Sequence, residues 1–523
     1  MAERIYRRRS RGAPGAVALV LRIVQLDQLP AGLHGDEAIV GLEAERILRE
    51  GWIGVYSPLA AGQPAGPIYA WAPAVAAFGN SIMAVRLVAA LAGAASVVVT
   101  FLLLRRDFGL LAAFVSAAIL AAVAWHLHYS RIAFPLAFWP LLIVVMQWAV
   151  VRAFASADRR WWIAAGAVTA LGVYVYNAHW IAGAAVAAAG IVFLAMRGRG
   201  LLRRDLWNVA AAAGGAALVL LPMLHLLITA RGYYSAHFQR DSYLGSAEWQ
   251  AHGGALDHAA ALAGRYVDVW QFLLGWGGRD NVDAAGVVAM LPLPLLLLAA
   301  WGALAGRRYP ALRWWWLVSL ALVIVMPLAS VLSLEGLPRR TFAMVVPLAI
   351  LAGLAAFDVR ARLHSTGRFP ALRRGLAPAA AVLAFGICVP GVITYYSAFP
   401  DHPYQRWVFA ENFTHASLYM EDLDHRHAIL VASDRHSVDY ETRKFLAPEL
   451  GAADWQHPDQ GPPPTATPTL LVLIGDEQRH ISDALEAGAR SVVGPEETGY
   501  RFAVLCHGCT PSMVEDLREQ HRP

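Results

Sequence analysis

The sequence predicts a polytopic, all-α membrane bundle of about eleven helices with structured extracytoplasmic loops, followed by a small C-terminal α/β domain. Of the 523 residues, 57% are hydrophobic and only 15% are charged, whereas a soluble domain carries about 25% charged residues. Long apolar runs alternate with short arginine-rich segments, as in membrane proteins. Histidine, aspartate and proline become frequent after residue 398. The predicted domains are therefore a transmembrane domain, 1–398, and a soluble domain, 399–523.

Eleven apolar runs predict membrane-spanning helices, because each is long enough to cross much of a bilayer. They are residues 15–29, 82–104, 110–126, 132–154, 161–177, 179–196, 207–230, 284–305, 314–334, 341–357 and 375–398. The first run is short and contains Arg22.

Arginine placement predicts the orientation of the chain. If the N-terminus is cytoplasmic, the segments on the cytoplasmic side hold 22 arginines and the opposite loops hold 9. Cytoplasmic loops are enriched in arginine, so we expect a multi-pass protein of the inner (plasma) membrane with residues 399–523 outside. The same placement explains a pI near 9.1 without nucleic acid as a partner.

The C-terminal segment shows the alternation of strands and helices that is typical of an α/β domain. Residues 428–433 and 469–475 predict buried strands, and 438–447 and 482–491 predict helices. The tetrapeptide 506–509 reads CHGC. A zinc site would need two more ligands, so a local disulfide is the better interpretation for a domain in an oxidising compartment.

The first outside loop contains LHGDEA, residues 33–38, at the start of a predicted amphipathic helix, 36–50, on the membrane surface. Asp36 and Glu37 could simply favour the helix N-terminus. Alternatively, such a carboxylate could deprotonate an acceptor hydroxyl or amine, or hold a divalent metal such as Mg or Mn. Neighbouring helical residues point about 100 degrees apart, so the two acids are expected to have different roles.

Several polar side chains lie near the predicted outer boundary of the membrane. The candidate substrate-binding residues are His34, Tyr69, His128 and His179. Tyr69 belongs to GQPAGPIYAWAP (62–73), and it could equally be part of the interfacial aromatic belt. His179, in YVYNAHW, is likewise either a belt residue or a ligand.

Four arginines are candidates for binding a phosphate group, because arginine presents paired donors. Arg131 follows the third span and could instead snorkel to the interface. Arg339 and Arg340, in SLEGLPRRTF, lie on the predicted outer side against the arginine trend. Arg240 belongs to an outer loop, RGYYSAHFQRDSYL (231–244), with Tyr233 and Tyr234.

Taken in order, these segments resemble the multi-span glycosyltransferases of the C superfamily, especially protein O-mannosyltransferases and lipid A aminoarabinose transferases. The matching segments are GDEA, GQPAGPIYAW, AVRLVAALAGAASVVVTFLLLRRDFG, HYSRIAFP and LPRRTFAMVVPLAILAGLA. They lie between residue 15 and about residue 400.

The resemblance implies transfer of a sugar from a polyprenyl-phosphate donor to a lipid, glycan or protein acceptor on the extracytoplasmic face, with inversion at the sugar carbon. It implies that Asp36 is the catalytic base and that arginines such as Arg131 and Arg340 neutralise the donor phosphate. Many relatives carry a second acid after the serine-arginine pair. Here that stretch reads IAFP, with Phe134 and Pro135, which puts a metal or second carboxylate there in doubt.

The alternatives from other classes are a polytopic transporter or lipid flippase, and a noncatalytic assembly subunit. A transporter would be expected to carry charged residues within its spans. The spans here have almost no acids at their centres, which favours the transferase.

Overall fold

The computed structural model describes residues 13–59, 62–156, 158–198, 203–230, 239–275, 289–336, 338–365, 372–423, 427–464 and 467–520. These residues form two compact units. One comprises 1–26, 50–70 and 86–399, and the other comprises 27–49, 71–85 and 400–523. The second unit therefore combines the C-terminal residues with two segments that the sequence placed in the transmembrane domain.

The first unit is helical. Its long helices are α1 (Ala13–Ile23), α4 (Ile82–Asp107, which begins in the second unit), α5 (Leu110–Ala122), α7 (Trp139–Ala155), α8 (Arg159–Leu171), α9 (His179–Arg197), α10 (Arg203–Thr229), α12 (Ala255–Leu273), α13 (Leu293–Gly306), α14 (Arg313–Val325), α16 (Val345–Ser365) and α17 (Leu372–Ser397). Short helices are α6 (Ala124–Tyr129), α11 (Ala247–Gln250) and α15 (Leu328–Val331), and β1 (Tyr56–Ser57) pairs with β2 (Gln63–Pro64).

Each of the eleven predicted apolar runs overlaps with at least one of these helices. Among the described residues, seven helices are long and apolar enough to cross a membrane. The helices in four runs, 15–29, 110–126, 161–177 and 284–305, have only 11 to 14 residues. The structure thus shows a multi-pass bundle, and the count of eleven spans stays a prediction.

Small residues allow several of these helices to pack closely, as is common in membranes. A Cβ at Gly215 of α10 would clash with the backbone of Ile163 in α8, and one at Gly302 of α13 would clash with the backbone of Leu351 in α16. Helix α5 packs against both α16 and α17.

The first predicted span, 15–29, ends early, because α1 stops at Ile23. Gln25 has a positive φ of 50°, which a continuing helix does not allow. The carbonyl groups at this helix end accept hydrogen bonds from the side chain of Arg131, so the helix can end inside the protein.

The second unit contains α2 (Gly35–Glu50), α3 (Ala72–Phe78), α18 (Pro403–Val408), α19 (Glu411–Glu421), α20 (Glu441–Leu446), α21 (Ile481–Glu486), α22 (Pro495–Thr498) and α23 (Pro511–Gln520). Its strands are β3 (Ala428–Ser433), β4 (Ala452–Asp454), β5 (Thr469–Ile474), β6 (Arg490–Val493) and β7 (Phe502–His507).

These five strands form one sheet in the order β4-β3-β5-β7-β6. Strands β4, β3 and β5 are parallel, and β7 is antiparallel to both β5 and β6. Strand β5 is buried at every position. The predicted strands at 428–433 and 469–475 are confirmed, and the predicted helix at 438–447 corresponds to α20.

Two further predictions for this segment have different outcomes. The helix predicted over 482–491 is wrong in its second half: it ends at Glu486, Gly488 has a positive φ of 92° and 490–493 is strand β6, which pairs with β7. The disulfide prediction is confirmed, since Cys506 at the end of β7 is bonded to Cys509.

Candidate active site

The segment that carries Asp36 is held by residues of the C-terminal part of the same unit. The backbone N–H of Leu33 donates to Oγ1 of Thr414 at 2.9 Å, and its carbonyl accepts from Oγ1 of Thr442 at 2.9 Å. The backbone N–H of Gly35 donates to the hydroxyl of Tyr440 at 3.0 Å. Three side chains from α19, α20 and the residue before α20 therefore fix the entry to α2.

Two glycines allow this close approach. A Cβ at Gly35 would lie 2.6 Å from the Tyr440 hydroxyl oxygen, and a Cβ at Gly41 would clash with the ring of Phe445. Any larger residue would push α2 away from these rings. The helix predicted at 36–50 is confirmed, since α2 runs from Gly35 to Glu50, and its placement on the membrane surface stays a prediction.

Asp36 and Glu37 lie in different environments, as helical geometry predicted. Glu37 is fully buried, and its Oε2 accepts the backbone N–H of His34 at 3.2 Å. The carbonyl of His34 accepts the first helical hydrogen bonds, so His34 is the N-cap residue. Glu37 thus supplies half of a capping box. The Asp36 side chain is 45% exposed, so its carboxylate is the one that can meet a substrate.

The His34 ring lies near the Asp36 carboxylate, with 3.9 Å between Nδ1 and Oδ2. The backbone N–H of Asp36 donates to the same Nδ1 at 3.1 Å. A ring nitrogen that accepts a hydrogen bond carries no proton, so a neutral His34 holds its proton on Nε2. The donor of this ring is then the Nε2–H group.

The loop after β3 borders this site. Tyr440 stacks on His436 with 3.8 Å between ring centroids and 15° between planes. Burial, followed by the charges of Arg435 and His34, lowers the pKa of His436 to about 4. His436 is therefore neutral near pH 7.

This loop leaves the sheet at a topological switch point. The chain runs from β3 to β4 on one side of β3 and then to β5 on the other side. In parallel sheets, ligands bind outside the carboxyl ends of strands at such a point. The backbone N–H of Asp476, after β5, donates to Oδ2 of Asp434, after β3, at 3.3 Å. The loops at this edge are thus tied together beside α2.

In the first unit, Arg131 is fully buried, and it caps the end of α1. Its Nη1 donates to the carbonyls of Leu21 at 3.1 Å and Arg22 at 2.9 Å, and its Nη2 donates to the carbonyl of Gln25 at 3.0 Å. Its Nη1 also donates to the hydroxyl of Tyr396 at 3.0 Å. A phosphate would have to compete with these carbonyls for the same donors.

Arg340 and Arg240 are brought together by Asp241. The Nη2 of Arg340 lies 3.0 Å from Oδ2 of Asp241, and the Nε of Arg240 lies 2.9 Å from Oδ1. The Arg340 side chain is 21% exposed. Arg339 lies next to Arg340 in the 3-10 helix Pro338–Met344 and is half-buried.

A backbone pairing places this ion cluster. The N–H of Leu334 donates to the carbonyl of Asp241 at 2.7 Å, and the N–H of Tyr243 donates to the carbonyl of Leu332 at 2.9 Å. Arg265 lies over the Tyr243 ring, 3.9 Å from its centroid, and its Nε donates to the carbonyl of Val331 at 2.9 Å. Tyr233 and Tyr234, which the sequence placed in the same loop, lie outside the described residues.

His128 and His179 are buried in separate networks. Nδ1 of His128 lies 3.3 Å from the hydroxyl of Tyr395. Nδ1 of His179 accepts from Nε1 of Trp139 at 2.8 Å, and its Nε2 donates to the carbonyl of Thr169 at 2.8 Å. Both ring nitrogens of His179 are thus occupied.

Tyr69 also has two protein partners. Its hydroxyl donates to the carbonyl of Gly54 at 2.8 Å and accepts from the backbone N–H of Ile53 at 3.0 Å. The ring stacks on Trp52 at 5.1 Å. These contacts fix the preceding loop.

Some residues at these sites were not singled out from the sequence. They are Asp241, Arg265, His436 and Tyr440. Asp241 directly follows Arg240, so its charge was a visible signal. Tyr440 had none, because the contact with Gly35 joins residues 405 positions apart.

The described residues also bear on the binding of a metal ion. Within the described ranges, no group of three or more His, Cys, Asp or Glu residues is arranged to hold one. Among the residues that the structure describes, none can therefore be assigned to the divalent metal that the sequence left open.

Comparison with known proteins identifies the fold. Residues 63–226 match the family model described as dolichyl-phosphate-mannose-protein mannosyltransferase. The crystal structure of ArnT from Cupriavidus metallidurans bound to undecaprenyl phosphate is similar, with a TM-score of 0.59 and 16% identity, over 94% of this chain and 96% of that one. The chain has the glycosyltransferase C fold. The resemblance predicted from the sequence is thereby confirmed.

The ArnT structure in the apo state is also similar to this chain. Its TM-score is 0.55 at 16% identity, and the match covers 97% of this chain and 98% of that chain. No curated protein matches the sequence.

Proposed function

We propose that this chain is a membrane glycosyltransferase that moves a sugar from a polyprenyl-phosphate-linked donor to a hydroxyl or amine of a lipid, glycan or protein acceptor. The family-model match and the shared fold support a transferase with a lipid-linked donor. The undecaprenyl phosphate in the ArnT crystal structure supports a polyprenyl phosphate as the lipid.

The observation that carries the proposal is the contrast between two neighbouring carboxylates. Glu37 is buried and caps the helix, whereas Asp36 is about half exposed beside His34. A base must reach the proton that it removes, and only Asp36 of this pair is placed to do so. We therefore assign the base to Asp36 and a structural role to Glu37.

The proposed reaction is a single displacement. The acceptor oxygen or nitrogen attacks the sugar carbon and its proton passes to Asp36. The bond from that carbon to the phosphate oxygen breaks, and the phosphate leaves with the electron pair. One displacement inverts the sugar carbon. The leaving phosphate gains negative charge, which a cation can stabilise.

Arg340 is our first choice for the residue that binds this phosphate, with Arg240 and Arg339 beside it. Its guanidinium is partly exposed and has one carboxylate partner at 3.0 Å. Arg131 is a weaker choice, because three backbone carbonyls already accept from it. Among the four predicted substrate contacts, His34 is favoured, because its Nδ1 lies 3.9 Å from the exposed carboxylate of Asp36.

We propose that the protein lies in the inner membrane with eleven spans and a cytoplasmic N-terminus. The α/β domain over 399–523 is then extracytoplasmic. The ratio of 22 arginines to 9 supports this orientation. A cysteine probe at Gln460 should react with an impermeant label added to intact cells. Reaction only after permeabilisation would contradict the orientation, and with it the active face.

The direct test is donor consumption. Purified protein is given labelled polyprenyl-phosphate sugars together with an extract of membrane acceptors, and labelled product is measured. Asp36→Asn should lower transfer by about a hundredfold or more, within the range of general base catalysis, and should leave donor binding intact. Helix stability should change little, because Asp36 is not the capping residue.

Glu50→Gln is the matched control, since it removes an exposed carboxylate from the other end of the same helix. It should transfer sugar like the unmodified protein. A fully active Asp36→Asn protein would remove Asp36 from the mechanism. Movement of the intact donor across a liposome membrane, with no donor consumed, would favour the flippase alternative.

A further inference from the structure

The first turn of α2 is held by an unusual set of side-chain acceptors. The first N–H groups of a helix have no partner within the helix. Here the N–H of His34 donates to Glu37, the N–H of Gly35 to Tyr440, and the N–H of Asp36 to His34 Nδ1. Two of these three acceptors belong to the segment itself. Tyr440 is the only one of the three from the C-terminal part of the chain.

The Tyr440 hydroxyl is itself fixed in place. Its ring stacks on His436 at 3.8 Å and contacts Phe413 edge-on, with 5.7 Å between centroids. His436 lies three residues after the end of β3, and Tyr440 immediately precedes α20. The position of the hydroxyl is therefore set by the sheet and by α20. Through its hydrogen bond with the Gly35 N–H, the hydroxyl fixes the residue before Asp36.

The protonation states of these groups support a permanent hydrogen bond. Burial raises the pKa of Tyr440 above its usual value, and the pKa of His436 is lowered to about 4. A phenol that keeps its proton and a neutral imidazole stay stacked across the neutral pH range. The contact is thus not a pH switch.

We propose that Tyr440 is the positioning residue of Asp36, so that the C-terminal domain completes the catalytic site. This inference rests on the proposed function in which Asp36 is the base. Displacement of a reacting group by about 1 Å can cost up to a hundredfold in rate. Loss of one of several anchors should cost less, on the order of tenfold.

Tyr440→Phe tests the inference, because it removes the hydroxyl and keeps the ring. Tyr500→Phe is the matched control: Tyr500 belongs to the same domain and also stacks on a histidine, His415, at 3.5 Å. Two quantities are measured in the purified full chain, the kcat and donor KM of transfer, and the hydrogen exchange of the peptide over residues 33–38.

Tyr440→Phe should lower kcat about tenfold with an unchanged donor KM, within the limit set by misplacement, and should speed exchange at Gly35. Tyr500→Phe should change neither. Unchanged exchange in Tyr440→Phe, or equal loss of kcat in both variants, would overturn the inference. If the unmodified protein transfers no sugar, the proposed function fails, and the exchange result still decides whether Tyr440 fixes this turn.

Discussion

The Arg131 region and the Arg340 region differ in what neutralises the guanidinium group. Arg131 is fully buried, and it donates to the carbonyls of Leu21, Arg22 and Gln25 and to the hydroxyl of Tyr396. Arg340 is 21% exposed and pairs with the carboxylate of Asp241.

This difference separates a structural arginine from one that can bind a ligand. Carbonyl groups at a helix end need donors, and Arg131 supplies several of them at once. An exchange of these bonds for a phosphate would take the Arg131 donor away from several carbonyls at once, including the buried one of Arg22. Arg340 would exchange one partly exposed ion pair, which contributes only about 1 kcal/mol or less. We therefore expect Arg131 to affect folding and Arg340 to affect donor use.

The largest expected effect is on stability, from Arg131→Met. The substitution removes four hydrogen bonds made by a charged group, and each such bond contributes about 1.5–3 kcal/mol. The free energy of unfolding in detergent should fall by at least about 3 kcal/mol. Arg340→Met is the control and should cost about 1 kcal/mol or less. Equal losses of stability would contradict the distinction between the two regions.

The second effect is on donor use, from Arg340→Met. Removal of a group that stabilises charge in the transition state costs about 2–4 kcal/mol, so kcat/KM for the donor should fall about thirtyfold or more. Arg360→Met, in the part of α16 that is predicted to lie on the cytoplasmic side, should leave kcat/KM unchanged. If both variants lose the same activity, Arg340 does not bind the phosphate.

The same contrast shows what the sequence could reveal. Hydropathy and arginine placement located a helix in every predicted span, because these signals are local. The role of Arg131 could not be predicted, because its acceptors include backbone carbonyls about 110 residues away. Every residue has a backbone carbonyl, so the sequence does not indicate which ones accept a hydrogen bond. The ends of α1 and of the helix predicted over 482–491 were missed for a related reason: tertiary hydrogen bonds and strand pairing decided them.

The candidate site was predictable in part. The acidic pair at 36–37 stands at a visible helix start, and the 100-degree step between neighbours correctly separated the two side chains. The contacts of Gly35 with Tyr440 and of Gly41 with Phe445 join segments about 400 residues apart. In the sequence, only the two glycines indicate that another segment approaches closely. A glycine does not indicate which segment that is.

The smallest expected effect would come from Asp241→Asn, which distinguishes two roles for this aspartate. Asp241 could be a counter-ion that competes with the donor phosphate for Arg340, or a template that holds Arg240 and Arg340 in place. The substitution does not alter the main-chain carbonyl of residue 241, which accepts from the N–H of Leu334 at 2.7 Å, so the backbone pairing should survive. If Asp241 is a counter-ion, the substitution removes the negative charge that it presents to Arg240 and Arg340.

The donor KM should then fall, by up to about fivefold for an ion pair worth about 1 kcal/mol, and it should depend more steeply on salt. Asp358→Asn is the control, because Asp358 is also shared by arginines, Arg308 and Arg362, but is buried at 1% exposure. It should lower stability and leave the donor KM unchanged. A rise in donor KM for Asp241→Asn would instead show that the aspartate holds its arginines in position. In that case, the Arg340 region would depend on fixed geometry as much as the Arg131 region does, and the difference between them would lie in exposure alone.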